Sequence, residues 1–102
     1  MVNEETVYIR IPAPLRNITG QNNKIQINLS EVSDKYVRSI LDYVDNQFPG
    51  FNEKIFDTSG ELKQFVNIFI NGEDARYLNG VDTEVTSGDE ISIVPAVAGG
   101  LI

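Results

Sequence analysis

Near its C-terminus the chain reads Ala98-Gly99-Gly100-Leu101-Ile102, and this is where residue type and spacing offer chemistry. Two successive glycines carry no Cβ atoms, so Gly99 and Gly100 can enter a channel too narrow for other residues. A carboxylate at Gly100 would then be a substrate for another protein's chemistry. A Gly-Gly pair alone reads better as a frayed terminus, so it takes its meaning from what precedes it. The rest of the chain offers little. Cys and His are both 0 in 102 residues, which removes the thiolate nucleophile, the imidazole base, the disulfide and the Cys/His zinc site. The carboxylates Glu53, Asp57, Glu61, Asp74 and Asp89 are scattered among predicted loops, with neither a nucleophile nor metal-ligand spacing beside them. Tyr8, Tyr36, Tyr43 and Tyr77 read as structural or surface aromatics. An enzyme in its own right is the least favoured reading.

Composition narrows the partners. The formal net charge is −7, from 15 Asp+Glu against 8 Lys+Arg. Nucleic-acid binding needs clustered positive charge to displace counterions, so a basic protein surface is the better-matched partner. Acidity that only keeps the domain soluble accounts for the same count. No apolar run approaches a membrane span and no secretory signal opens the sequence. With no cysteine, the expected compartment is the reducing cytoplasm.

The elements that must position the tail follow from periodicity. Thr6 to Pro12 alternates, with Val7, Ile9 and Ile11 on one face, and Lys24 to Leu29 alternates again through Ile25, Ile27 and Leu29. Two such runs joined by the polar, loose turn Asn17–Asn23 predict an antiparallel hairpin. The period then changes: Val37, Ile40, Leu41, Val44 and Phe48 form one stripe of an amphipathic helix. Ser33 is the expected N-cap, and Pro49-Gly50 stops the helix. At 1.5 Å per residue it would span roughly 22 Å, enough to cross a small sheet. Phe51 to Phe56 suggests a short helical turn. Phe65 to Ile70 predicts a strand with Val66, Ile68 and Ile70 inward, and Asn71-Gly72 a tight turn. Glu73 to Gly80 reads as irregular, with Tyr77 and Leu78 tucked under the sheet edge. Glu90 to Val94 is the last strand, with Ile91 and Ile93 inward.

The order is hairpin, helix, strand, irregular segment, strand, with strands at both ends and one long helix. The helix must cover one face of a mixed sheet. An α+β fold of the β-grasp (ubiquitin-like) type does this with four to five strands, its first and last pairing in parallel at the centre. A ferredoxin-like arrangement needs a second full helix. The expected division is residues 1–95 as the β-grasp domain and 96–102 as a projecting tail with Gly-Gly and a two-residue extension.

Three segments taken together are more specific than the glycines alone: Phe65-Val66-Asn67-Ile68-Phe69-Ile70-Asn71-Gly72-Glu73-Asp74, then Gly88-Asp89-Glu90 leading into Ile91-Ser92-Ile93-Val94-Pro95, then Ala96-Val97-Ala98-Gly99-Gly100. They resemble the MoaD/ThiS sulfur-carrier family, and within it the CysO-type and longer MoaD-like carriers. The likeness is densest from Phe65 to Gly100 and looser over the first strand, Pro12-Ala13-Pro14-Leu15-Arg16 and the helix.

The resemblance implies a protein substrate, not an enzyme. An ATP-dependent, ubiquitin-activating-like adenylyltransferase would convert the Gly100 carboxylate to an acyl-adenylate, and sulfur would displace AMP to give a thiocarboxylate. Gly99 and Ala98 would be the approach to that carbonyl. The chain itself would bind no cofactor or metal, since ATP and the sulfur donor belong to the partner enzymes. The acceptor would be a cysteine synthase-like enzyme or a molybdopterin synthase large subunit. Leu101 and Ile102 depart from the family pattern, because Gly100 in a peptide bond cannot be adenylated. A precursor cut between Gly100 and Leu101 by a JAMM-type zinc metalloprotease accounts for them. A different cleavage point, an unactivated binding module and a ubiquitin-like modifier remain as alternatives. A docking surface is expected where Phe69 and Val94 face outward on adjacent strands, followed by Val97. Asp82, Glu84, Asp89 and Glu90 would form an acidic rim around it.

Overall fold

The computed structural model describes residues 5–95, so the expected tail and the division at residue 95 fall outside what it can show. In chain order the elements are strands β1 (Thr6–Arg10) and β2 (Lys24–Asn28), helices α1 (Val37–Gln47) and α2 (Phe51–Ile55), and strands β3 (Val66–Ile70), β4 (Glu73–Asp74) and β5 (Glu90–Pro95). They form one five-stranded sheet in the order β2-β1-β5-β3-β4. β1 pairs antiparallel with β2 and parallel with β5, and β5 pairs antiparallel with β3. First and last strands therefore lie side by side at the centre, which is the β-grasp arrangement.

Alternation decides which side chains enter the core. Val7 and Ile9 of β1, Ile27 of β2, Val66, Ile68 and Ile70 of β3, and Ile91 and Ile93 of β5 are all buried. They meet Val37, Ile40, Leu41 and Val44, the helical stripe, and the core closes over Phe51, Ile55, Leu15, Leu29 and Val85. The turn between β3 and β4 has the left-handed backbone its sequence demands, with φ +53° at Asn71 and +85° at Gly72.

Four local expectations need correction. Ser33 does not cap the helix, which begins at Val37 after an extended Tyr36. Val37 donates its N–H to the carbonyl of Thr83 at 3.0 Å, and Val85 donates to that of Lys35 at 2.8 Å. A distant backbone segment thus holds residues 35–37 extended and supplies the acceptor that a side-chain cap would have offered. Tyr77 and Leu78 are not tucked in, being 79% and 39% exposed. Ala75 takes the buried place, and the 3-10 turn Ala75–Tyr77, capped by the Asp74 carboxylate, swings the next side chains outward. Asn17–Asn23 is not loose: Thr19 is fully buried, its hydroxyl donating to the Asn22 carbonyl at 3.1 Å while Asn22 Nδ2 donates to the Thr19 carbonyl at 2.8 Å. The segment read as irregular contributes the short fifth strand β4, paired with β3 through Phe69 and Asp74.

Candidate functional site

β5 runs down the middle of the sheet and ends at Pro95, where it is still paired with Val66 at the start of β3. β1 pairs with β5 as far as Ser92, and β3 pairs with it as far as Pro95. Val97, Ala98, Gly99, Gly100 and Leu101, the tail and cleavage residues expected from sequence, lie outside the described residues.

Phe69 and Val94 are described. Phe69 stands opposite Ser92, and Val94 opposite Asn67, on the sheet face away from the helices. Diagonal neighbours of this kind on adjacent strands are roughly 7–8 Å apart, within reach of an aromatic ring. Phe69 is half-buried and Val94 is 40% exposed. The two expected docking residues therefore share one face near the end of β5. Tyr8, Arg10, Lys24 and Glu90 extend that face across β1 and β2: Tyr8 pairs with Glu90 and with Gln26, and Arg10 with Lys24. Lys24 Nζ lies 4.8 Å from the Tyr8 ring centroid and 3.3 Å from the Glu90 carboxylate.

Of the expected acidic rim, Glu90 lies on this face. Asp89 and Glu90 sit at the start of β5, the end opposite Pro95. Asp89 is occupied in the turn, accepting from Thr86 N–H at 2.8 Å and from Asn71 Nδ2 at 2.9 Å. Glu90 pairs with Arg10 at 3.8 Å as well as with Lys24, and Asp82 pairs with Arg38 at 3.6 Å. Glu84 stands across from Tyr36 at the helix start. Asp89, Glu90 and Asp82 are thus each engaged by a turn donor or a cation.

Of the remaining carboxylates, Asp57 and Asp74 are held by local hydrogen bonds. Asp57 Oδ1 accepts from the Ser59 hydroxyl at 2.6 Å, from Ser59 N–H at 2.9 Å and from Glu61 N–H at 3.1 Å. That hydroxyl bond, chiefly, holds its pKa below the usual carboxylate range. Asp74 is likewise lowered, by the Arg76 guanidinium that grips it at 2.6 Å. The Tyr43 hydroxyl donates to Glu31, which raises the phenol's pKa. Each shift has a turn or a surface hydrogen bond as its cause. Glu53 and Asp57 border a groove with Arg38, Asp42, Phe56, Thr58 and Lys63. Among the described residues no group of three or more Asp, Glu, His or Cys could hold a metal ion, and no helix is long and apolar enough to cross a membrane.

The family model described as the ThiS family matches residues 9–100. The chain belongs to the ThiS family. The match ends at Gly100, so Leu101 and Ile102 lie beyond it. A protein of Archaeoglobus fulgidus, provisionally named a sulfur carrier protein, is 60% identical over 95 residues, covering 92% of this chain and 98% of the relative. Sulfur carrier protein CysO of Mycobacterium tuberculosis is 34% identical over 96 residues, with coverage of 92% and 98%. Small archaeal modifier protein 3 of Haloferax volcanii is 30% identical over 92 residues, covering 90% and 96%. Among solved structures, the BexX/CysO complex of Amycolatopsis orientalis contains a chain that superposes with a TM-score of 0.78 at 34% identity, covering 92% of this chain and 99% of that one. This ThiS family member thus has carriers and modifiers among its relatives. Sequence reading missed the anchoring role of Asn71 and the pairing of Pro95 with Val66, although Asn71-Gly72 carried the turn signal for the first.

Proposed function

We propose that this protein is a sulfur carrier in precursor form, whose working group is the Gly100 carboxylate released when Leu101-Ile102 is removed. The observation that carries this reading is the family match through residue 100, with its limit on the second glycine. Hydrolysis of the Gly100–Leu101 peptide bond, assigned to a JAMM-type zinc metalloprotease, frees the carboxylate. A ubiquitin-activating-like adenylyltransferase then joins it to the α-phosphate of ATP and releases pyrophosphate. Adenylation is needed because a carboxylate is a poor electrophile and lacks a leaving group. A sulfur donor displaces AMP, and the resulting thiocarboxylate is the nucleophile given to the acceptor, a cysteine synthase-like enzyme or a molybdopterin synthase large subunit. The chain supplies no catalyst and holds no cofactor, so ATP and sulfur are handled by its partners in the cytoplasm. Neither nucleic acid nor membrane is assigned as a partner. Phe69 and Val94, with Val97 after them, are the proposed docking residues, and Gly99 and Ala98 the approach to the active site.

Intact-mass spectrometry of the protein from its own cell tests this. The expected species ends at Gly100 and includes a form heavier by one sulfur-for-oxygen exchange. If the chain ending at Ile102 is the sole species under sulfur-demanding growth, the carrier reading fails. The relation to a small archaeal modifier protein supports a second reading, in which Gly100 forms an isopeptide with a lysine of another protein. Covalent conjugates on a denaturing gel, without the sulfur-bearing form, would favour it.

A further inference from the structure

The chain is strongly acidic, and most of its positive charge is locally neutralised. Arg10 and Lys24 pair with Glu90, Lys35 with Glu5, Arg38 with Asp82 and Arg76 with Asp74. Among the described residues the cations without a carboxylate partner are Arg16, Lys54 and Lys63. They are not scattered. Lys54 and Lys63 line one small hollow of about 160 Å³ with Pro14, Leu15 and Asn17, and no carboxylate lines it. Arg16 lies in the same loop, its Nε donating to the Ile11 carbonyl at 3.0 Å. Lys63 also borders the groove that holds Asp42, Glu53 and Asp57, yet it forms an ion pair with none of them.

The place of this hollow matters. The Lys63 carbonyl accepts from Val66 N–H at 3.0 Å, and Val66 is the residue paired with Pro95. The hollow also adjoins the loop that follows β1, whose C-terminal end points the same way as that of its parallel neighbour β5. The unpaired cations therefore gather at the end of the sheet from which the tail leaves. From Pro95 to Gly100 is five residues, which reach at most about 18 Å. A protein that takes Gly100 into a reaction site must bring the mouth of its channel close to this pole.

We infer that the hollow between Lys54 and Lys63 is a docking point for an acidic surface segment at the channel mouth of the adenylating partner. This deepens the function proposed above and rests on it. The occupant is a protein carboxylate, because what meets this pole is the mouth of the partner's channel, which is protein surface. Unpaired lysines on an otherwise acidic surface orient the carrier tail-first, since the rest of the molecule is repelled by the same acidic segment.

The test is ATP–pyrophosphate exchange by the adenylyltransferase of the source organism, with the chain ending at Gly100 as substrate. Lys54→Glu/Lys63→Glu is expected to raise KM by about tenfold or more with little change in kcat, and to flatten the rise of KM with salt. Lys63→Glu and Lys35→Glu change net charge equally, but Lys35 lies away from this pole, paired with Glu5, so only the first should raise KM. Equal effects of the two, or a double-variant KM within about twofold of wild type, would overturn the inference. Both lysines are exposed, so the variants should fold, and circular dichroism checks that they do. Absence of exchange with the wild-type chain would remove the adenylation step, and with it the carrier reading. The hollow is then decided by NMR titration with hexaglutamate at low salt. Amide shifts at Asn17, Lys54 and Lys63 that vanish in the double variant uphold an acidic-peptide site, and their absence overturns it.

Discussion

Asn71 shows how much one side chain can carry when a turn and a strand end meet. Its Oδ1 accepts from the N–H of Glu90 at 2.9 Å and its Nδ2 donates to Asp89 at 2.9 Å, while its own N–H donates to the Glu90 carbonyl at 2.8 Å. It does this from a left-handed backbone, φ +53°, which asparagine tolerates better than most residues. The β3–β4 turn is thereby tied to the start of β5, the strand that leads to the tail. Asn71→Ala removes two side-chain bonds and keeps the unfavourable backbone angle. It should cost about 2 kcal/mol, read as a lower urea midpoint at constant m-value.

At the scale of elements, the short helix α2 contributes more than its five residues suggest. Gly50 turns the chain with φ +98°, and α2 then places Phe51 and Ile55 in the core with no exposure. Asp45 and Asp42 of α1 bind Asn52 of α2 through its N–H at 2.9 Å and its Nδ2 at 2.8 Å, which locks the two helices together. Phe51 is the largest fully buried side chain. Phe51→Ala should therefore destabilise by about 3–5 kcal/mol in chemical denaturation, more than any single strand Val→Ala change. The start of α1 teaches the converse. Ser33 has the chemistry of a cap, but the backbone of residues 83–85 reaches Lys35 and Val37 first.

At the scale of the molecule, the sheet separates two tasks. One face is buried under the helices, and the other leaves Val94 exposed and Phe69 half-buried. Phe69 is only half-buried, so shortening it should leave the fold in place. Phe69→Ala is expected to weaken adenylyltransferase binding by about tenfold or more, measured by titration calorimetry, with a nearly unchanged thermal midpoint. Unchanged affinity would remove this face from the docking surface. The charge distribution adds direction, because Lys54 and Lys63, cations without a carboxylate partner, line one hollow at the end of the sheet where β5 stops.

Sequence by itself determined the fold class, since period-two runs, one helical stripe and the order of elements leave few ways to bury both apolar faces. Alternation placed Val7, Ile9, Ile68, Ile91 and Ile93 inside, and it put Phe69 and Val94 on the outer face. It also brought the family resemblance to Gly100, because glycine pairs and strand–proline boundaries are local features written directly in residue order. What only the tertiary structure decided depends on residues far apart in the chain. Thr83 starts the main helix, Ala75 displaces Tyr77 from the interior, and Glu90 is engaged by Arg10 and Lys24. Lys54 and Lys63 join Pro14 in one hollow beside the strand that ends at Pro95. Hydrogen bonds and ion pairs reward proximity in space, and proximity between distant segments exists only once the sheet has formed.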